Sequence, residues 1–151
     1  MDNSKVEYVY KLLYSENKEN TINEIQGISN SELLHVIVGN YNWDNGLEIP
    51  YSIVCNKNCD LGTALMIFYY ADGYRVLENS DELNNPNLKQ WTNFISEIKE
   101  RIINNKFQCN RIKFIPPLTK VQIFKLKKND PNINKVFLEE SDGEVIEIPS
   151  I

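Results

Sequence analysis

The stretch "NWDNGLEIPYSIVCNKNCDLGTALMIFYYADG", from Asn42 to Gly73, decides the fold that we predict for this chain. Its second half is apolar on nearly every side when it is drawn as a helix, and a helix of that kind is buried by several neighbours. Asp60 is placed to cap this helix and Gly73 to end it. The turn "NWDNG" lacks the alternating flanks of a β-hairpin, so we predict a corner between two helices, with Pro50 in the first turn of the second.

Apolar residues recur at helical spacing in further segments, which predicts more helices. Gly62 is small enough for one of these helices to approach the central one closely. Thr21 and Glu24 match a capping box at the start of one segment. The segment 75–87 is predicted to be a loop. The predicted helices are 4–14, 21–28, one that begins at Ser29, Asn30 or Ser31 and runs to 41, 47–56, 60–73 and 87–105.

The last third of the sequence changes character. Pro116 and Pro117 exclude a continuous helix there, and partial alternation favours short extended pieces. The segment 130–140 fits either a helix or part of a hairpin that turns at Asp142–Gly143. We predict a mainly α fold, a compact array of short antiparallel helices resembling helical repeats, with a small mixed or β-hairpin C-terminal segment. Residues 1–107 would form the helical domain and 108–151 an extension packed on it, and we expect the two to make one domain in total.

The composition narrows the class of protein. A formal charge of −5 over 151 residues disfavours a nucleic-acid binder, which needs a concentrated basic face. The run "KLKK" at Lys125–Lys128 is interpreted as a solvated face. No apolar run reaches the length that spans a bilayer and no signal peptide is recognised, so we expect a cytoplasmic protein without a membrane partner. Three cysteines, an odd number, suit reduced thiols.

Side chains that support catalysis or metal binding are few. Cys55 and Cys59 are four residues apart, but Asn58 and Asp60 are predicted to form a loop and a cap that break a common helix, and structural zinc requires four ligands. Cys109 and His35 are the remaining soft ligands. We interpret the cysteines as core residues and His35 as a half-buried or surface residue. We assign no catalytic residue, no cofactor and no metal site.

Aromatic and acidic residues near helix ends are the candidates for binding a partner. Asp44 and Glu48 lie where a helix N-terminus attracts carboxylates, whereas Asp72 lies at a C-terminal end, which repels them. Trp43 either fills the gap between two helices or stands exposed as a binding anchor, because tryptophan dominates binding hot spots. The predicted partner-binding residues are Trp43, Asp44, Glu48, Asp72 and Tyr74.

Two motifs together carry a family resemblance: "LLHVIVGNYNWDNGLEIPYSI" and "NCDLGTALMIFYYADG". Over residues 33–73 the chain resembles a bacterial family of unknown function, domain of unknown function 4274. The resemblance implies a small helical module of bacteria with no assigned activity. It does not extend to the segment beyond Phe107.

These observations lead to three hypotheses about function. The first is a non-enzymatic, acidic protein-binding module, one form of which is a bacterial immunity protein that neutralises a toxin. The alternative is a small-ligand binder or hydrolase-like enzyme with a carboxylate-rich pocket around Trp43 and Asp44, completed by His35, Glu48 and Asp60. The third is a homodimer formed through an apolar seam on one helix, namely Leu88, Trp91, Ile95, Ile98 and Ile102.

Overall fold

Helices account for most of the chain in the computed structural model, which describes every residue from Met1 to Ile151. The α-helices are α1 (Asn3–Leu13), α2 (Lys18–Gly27), α3 (Ser31–Asn40), α4 (Glu48–Val54), α5 (Leu61–Tyr70), α6 (Tyr74–Glu78), α7 (Lys89–Ile103) and α8 (Lys120–Asn129). Short 3₁₀ helices cover Trp43–Asn45, Ser80–Asn84, Pro86–Leu88 and Lys135–Phe137. There is no β-sheet, and the prediction of a mainly α fold is confirmed.

The helix α5 lies at the centre of the fold because it is apolar on almost every side. α3, α4 and α7 each pack against it, while α2 packs on α4 and α1 on α3. Eight of its ten residues are buried. Leu65, Ile67 and Phe68 have no exposed surface at all, and burying a side chain of this size contributes about 1.5–3 kcal/mol. The neighbouring helices are therefore arranged around α5.

Side-chain caps mark the start of five of the eight α-helices. Asp60 caps α5 as predicted, and Asn30, one of three residues considered, caps α3. The predicted cap Thr21 is wrong, because Asn17 caps α2 one turn earlier. Thr21 is buried within α2, where its hydroxyl donates to the carbonyl oxygen of Leu12 at 3.4 Å.

The segment 75–87, expected to be a loop, contains most of α6 and two 3₁₀ helices. Val76 and Leu77 are buried and hold this short helical turn against the core. Five residues are too few to show a helical period in the sequence, which explains why α6 was missed.

The predicted β-hairpin in the C-terminal segment is wrong. Gly143 has a φ of +101° and lies directly against the backbone of Arg111. Beyond it, Glu144 N–H donates to the Arg111 carbonyl and Lys113 N–H donates to the Glu144 carbonyl, both at 2.9 Å. These two bonds belong to an isolated parallel bridge between Ile112 and Glu144. The turn therefore directs the chain along a distant segment instead of back along itself.

α8 lies where short extended pieces were expected. Thr119 and Gln122 form a capping box at its start: the Thr119 hydroxyl accepts from Gln122 N–H at 3.1 Å, and the Gln122 side chain accepts from Thr119 N–H at 2.8 Å. The helix begins after Pro116 and Pro117, so the prolines limit it without preventing it. The segment 130–140, by contrast, forms only the 3₁₀ turn Lys135–Phe137.

The apolar seam of α7 faces the interior of the same chain. Ile95 and Ile98 have no exposed surface and Ile102 is 2% exposed. α7 packs on α5 through this face, so the face is not available to a second copy. None of the helices combines the length and apolar character that crossing a bilayer requires.

Candidate functional site

The corner between α3 and α4 is built around Trp43. Asn42 caps the 3₁₀ helix, and Gly46 has a φ of +93° where the chain turns into α4. The indole is half-buried and meets Tyr41 and Tyr70 edge to face, at centroid distances of 5.4 and 6.5 Å. Its Nε1–H is enclosed and has no acceptor in the protein. Trp43 therefore fills the gap between helices.

Two carboxylates flank this corner. Asp44 is exposed and belongs to no ion pair. Glu48 lies 3.4 Å from the Lys18 ammonium, which also donates to the Asn45 carbonyl at 3.1 Å. The pKa of Glu48 is lowered chiefly by a hydrogen bond from its own backbone N–H, and to a smaller extent by the nearby Lys18. Glu48 thus ties the start of α4 to α2.

Asp72 ends α5 in a left-handed conformation, with a φ of 64°. Its N–H donates to the Tyr69 carbonyl at 3.1 Å and Gly73 N–H donates to the Phe68 carbonyl at 2.8 Å, which together form a Schellman motif. The position that usually carries glycine is therefore occupied by Asp72, and Gly73 follows it with an ordinary negative φ. The Asp72 carboxylate lies 3.6 Å from the Arg75 guanidinium. This geometry explains an acid at the C-terminal end of a helix.

The five predicted partner-binding residues thus fall into two groups. Trp43, Asp44 and Glu48 share the corner before α4, whereas Asp72 and Tyr74 follow α5. Tyr74 is half-buried, and its burial, followed by the nearby Glu78 carboxylate, raises its pKa. Tyr70, at the end of α5, contacts Trp43 and connects the two groups.

His35 is buried in the core, and the prediction of a half-buried or surface residue is wrong. It is 4% exposed, and its Nδ1 lies 2.9 Å from the Thr63 hydroxyl. Burial lowers the pKa of His35 to about 4, against the opposing effect of the nearby Asp60 carboxylate. The sequence missed this because α3 faces both α1 and α5, so five consecutive residues of α3 are buried.

Asp60 is fully buried and joins two parts of the chain. Its Oδ1 accepts from Gly62 N–H at 2.9 Å and from Ile112 N–H at 3.3 Å, and its Oδ2 accepts from Arg111 N–H at 2.8 Å. A Cβ on Gly62 would lie 2.0 Å from the Ile112 carbonyl oxygen. The close approach predicted at Gly62 therefore exists, but an extended segment makes it instead of a helix.

The three cysteines are free thiols in different surroundings. Cys55 is exposed, Cys109 is half-buried, and Cys59 is buried, so the interpretation as core residues is right for Cys59 and wrong for Cys55. Burial raises the pKa of the Cys59 thiol. No group of three or more His, Cys, Asp or Glu side chains in the chain is arranged to hold a metal ion.

A groove between α2, α4 and α7 has a volume of about 720 Å³. Asn56 holds one end of it in place by donating to the carbonyls of Ile25 and Ile28 at 2.8 and 2.9 Å. Of the five predicted residues, only Glu48 lines this groove. The lining residues are Ile22, Gln26, Leu47, Glu48, Tyr51, Ser52, Cys55, Asn56, Lys57, Gln90, Asn93, Phe94 and Glu97.

Polar side chains cross the groove from α4 to α7. The Tyr51 hydroxyl donates to Glu97 Oε1 at 3.1 Å, and the Arg101 guanidinium donates to the same oxygen at 3.2 and 3.3 Å. The neighbouring Cys55 side chain, followed by the Glu97 carboxylate, raises the pKa of Tyr51 to about 12. Tyr51 is 39% exposed, so its ring remains available at the groove surface.

Residues 29–103 match the family model described as "Domain of unknown function (DUF4274)", and this part of the chain belongs to that family. The match confirms the family suggested by the two sequence motifs and extends well beyond residues 33–73. It includes the corner, α5 and the α4 and α7 sides of the groove, but neither α2 nor the segment that Asp60 binds. Neither a curated protein nor a solved structure matches the chain.

Proposed function

We propose that this chain is a non-enzymatic protein-binding module whose groove between α2, α4 and α7 receives a basic segment with an apolar face from another protein. The observation that carries the proposal is the groove itself. Ile22, Leu47 and Phe94 supply apolar surface, and amide side chains such as Gln90 and Asn93 surround it. An apolar centre with a polar rim is the usual anatomy of a protein interface, and a groove between helices suits an amphipathic segment.

Charge supports a basic partner. Two carboxylates, Glu48 and Glu97, line the groove together with Lys57. Glu48 is already paired with Lys18 and Glu97 with Arg101, so a basic partner would compete with these two cations. Asp44 lies next to this region in the sequence and has no ion pair, and the whole chain has a formal charge of −5. Opposite charges accelerate the encounter of two proteins and exclude partners of like charge.

The residues that could serve catalysis have structural roles, which supports the non-enzymatic part of the proposal. His35 is paired with Thr63 inside the core, and Asp60 uses both carboxylate oxygens for backbone N–H groups. Cys59 is buried beside them. None of these side chains lines any of the five main cavities.

A narrower form of the proposal is an immunity protein that neutralises a toxin in the bacterial cytoplasm. A small acidic domain can cover the basic surface of a toxin that acts on nucleic acid, because such a toxin carries the cationic face that phosphate binding requires. The family resemblance to bacterial modules is compatible with this role.

The proposal is tested with variants that fill the groove without disturbing the core. Gln26→Arg and Asn93→Arg place a long cationic side chain at exposed positions that line the groove. Ser96→Arg makes the same change at an exposed position of α7 outside the groove and is the matched control. Wild type and variants serve as bait in an extract of the source organism, and the captured protein is then purified and titrated.

We expect wild type and Ser96→Arg to bind the same basic protein. The groove variants should raise its Kd tenfold or more, a loss of about 1.4 kcal/mol of binding free energy. Equal Kd values for Asn93→Arg and Ser96→Arg would exclude the groove. If Asp44→Lys alone abolished binding, the corner around Trp43 would be the site instead. Capture of no protein above the background of an unrelated acidic bait would contradict the proposal.

A small ligand in the same groove is the second candidate, favoured by the groove volume. Ligand pockets commonly measure about 300–1,000 Å³, and 720 Å³ lies within that range. Native mass spectrometry of protein purified from the source organism distinguishes the two. A bound small molecule that Asn93→Arg displaces and Ser96→Arg retains would favour this second function.

A further inference from the structure

The outward face of α8 carries large apolar side chains that nothing in the chain covers. Val121 is 62% exposed and Phe124 is 67% exposed. The opposite face holds the helix to the protein through Leu126, which is 1% exposed, and the partly buried Ile123. Because Val121 and Phe124 are three residues apart, they lie side by side on the exposed surface of the helix.

Lysines surround these two side chains. Lys120, Lys125, Lys127 and Lys128 are all exposed, and none forms an ion pair with a carboxylate. α8 itself contains no acidic residue, although the chain has 21 acidic residues against 16 basic ones. The four lysines are a quarter of the basic residues, so α8 is a cationic exception on an acidic protein.

We propose that the outward face of α8, formed by Lys120, Val121, Phe124, Lys125 and Lys128, binds an anionic lipid surface, which revises the expectation of no membrane partner. Phe124 and Val121 would enter the boundary between headgroups and acyl chains, and the lysine ammonium groups would pair with lipid phosphates and carboxylates. Cationic helices with exposed aromatic and aliphatic side chains bind membranes in this way, lying in the interface without crossing it.

The shape of the surface favours lipid over a protein partner. Val121 and Phe124 protrude from a single convex helix, and neither lines any of the five main cavities. A protein would have to offer a preformed pocket for these side chains, whereas a fluid interface admits them without one. The negative charge of the rest of the chain is repelled by anionic lipid, which orients the molecule with α8 toward the surface.

Vesicle sedimentation tests the proposal with the full chain. Phosphatidylcholine vesicles with about 30% phosphatidylserine are compared with phosphatidylcholine alone, in about 0.05 M and about 0.5 M salt. We expect wild type to bind only the anionic vesicles, and its partition coefficient to fall about tenfold or more at the higher salt concentration.

Two double variants separate the apolar and electrostatic contributions. Val121→Ser/Phe124→Ser and Lys125→Glu/Lys128→Glu should each lower the partition coefficient about tenfold or more. Tyr10→Ser removes an exposed aromatic ring elsewhere, and Lys5→Glu/Lys89→Glu makes the same change in charge at exposed positions elsewhere. Both controls should bind like wild type, and far-ultraviolet circular dichroism should be the same for all variants.

Three results would overturn the proposal. The first is a failure of the wild-type protein to bind anionic vesicles at low salt, which would favour an acidic protein as the partner of this face. The second is equal binding to neutral and anionic vesicles. The third is an equal loss of binding for Lys5→Glu/Lys89→Glu and Lys125→Glu/Lys128→Glu, which would show a response to net charge instead of to α8.

Discussion

The Asp60 carboxylate accepts a hydrogen bond from the backbone N–H of Arg111, which lies 51 residues further along the chain, at 2.8 Å. The same side chain also caps α5 through Gly62 and binds Ile112 N–H. One fully buried carboxylate therefore both begins the central helix and holds an extended segment across its N-terminus.

Asp60→Ala is expected to lower the free energy of unfolding by about 3 kcal/mol or more, because it leaves buried N–H groups without an acceptor and each costs about 1–3 kcal/mol. Asn30→Ala is the matched control, since Asn30 is an exposed cap that accepts only from Leu33 N–H at 3.1 Å. We expect this variant to lose about 1 kcal/mol. Urea denaturation gives both values, and equal losses would show that Asp60 is only a cap.

Gly62→Ala is expected to destabilise the protein by about 2 kcal/mol or more, although alanine is normally the better helix former. The new methyl group would meet the Ile112 carbonyl, a backbone atom that cannot rotate away. Gly27→Ala is the control, because nothing lies within 4 Å of its added Cβ. It should raise stability by about 0.5 kcal/mol. Thermal unfolding of both variants checks the contrast, and a stabilised Gly62→Ala protein would contradict it.

His35 is expected to make stability depend on pH between about 7 and 5. The folded protein keeps the ring uncharged down to about pH 4, whereas the unfolded chain takes up a proton below pH 6.5. The unfolded state therefore binds more protons in this window, so the free energy of unfolding falls as the pH is lowered, with a slope that approaches about 1.4 kcal/mol per pH unit well below pH 6.5.

Urea denaturation at several pH values measures this slope. The chain has only one histidine, and the carboxyls at Asp2, Glu7 and Glu48, whose pKa values are lowered, act at more acidic pH. His35→Asn, which keeps a polar atom near Thr63, should flatten the slope between pH 7 and 5. An unchanged slope in that variant would assign the effect to another group.

The two tryptophans are expected to respond differently to replacement by phenylalanine. Trp91 Nε1–H donates to the Ala71 carbonyl at 2.7 Å, so Trp91→Phe should cost about 1 kcal/mol. The enclosed Nε1–H of Trp43 has no acceptor. Trp43→Phe removes this unpaired group along with some packing, and the two effects should cancel to within about 0.5 kcal/mol. Denaturant midpoints of the two variants decide this, and a larger loss for Trp43→Phe would refute it.

The sequence predicts those parts of the fold that depend on local pattern. The burial of α5 and its cap Asp60 can be predicted from a few neighbouring residues. The spacing of Ile95, Ile98 and Ile102 likewise predicts α7. The hairpin prediction fails because Asp142–Gly143 signals a turn but not what the chain meets afterwards. The backbone of Arg111 takes that place, and no local pattern records a contact between such distant residues.

α8 shows the opposite case, in which a local signal was present but was not recognised. Thr119 and Gln122 match the pattern of a capping box, but the prediction of extended structure followed the two prolines before them and the partial alternation after them. For the candidate site, Trp43 and Glu48 were found as members of a corner. The groove was not predicted, because its walls come from three separate helices, α2, α4 and α7. The contact of α4 with α7 through Tyr51 and Glu97 is a tertiary contact that no local pattern indicates.

The family match begins at residue 29, after α1 and α2. Val9 and Ile25, from these two helices, have no exposed surface, and α2 packs on α4. A recombinant fragment limited to residues 29–103 would therefore expose the surfaces of α3 and α4 that α1 and α2 cover. We expect such a fragment to aggregate through this apolar surface. The part of this chain that matches the family model therefore depends on α1 and α2, which lie outside the match, to cover α3 and α4.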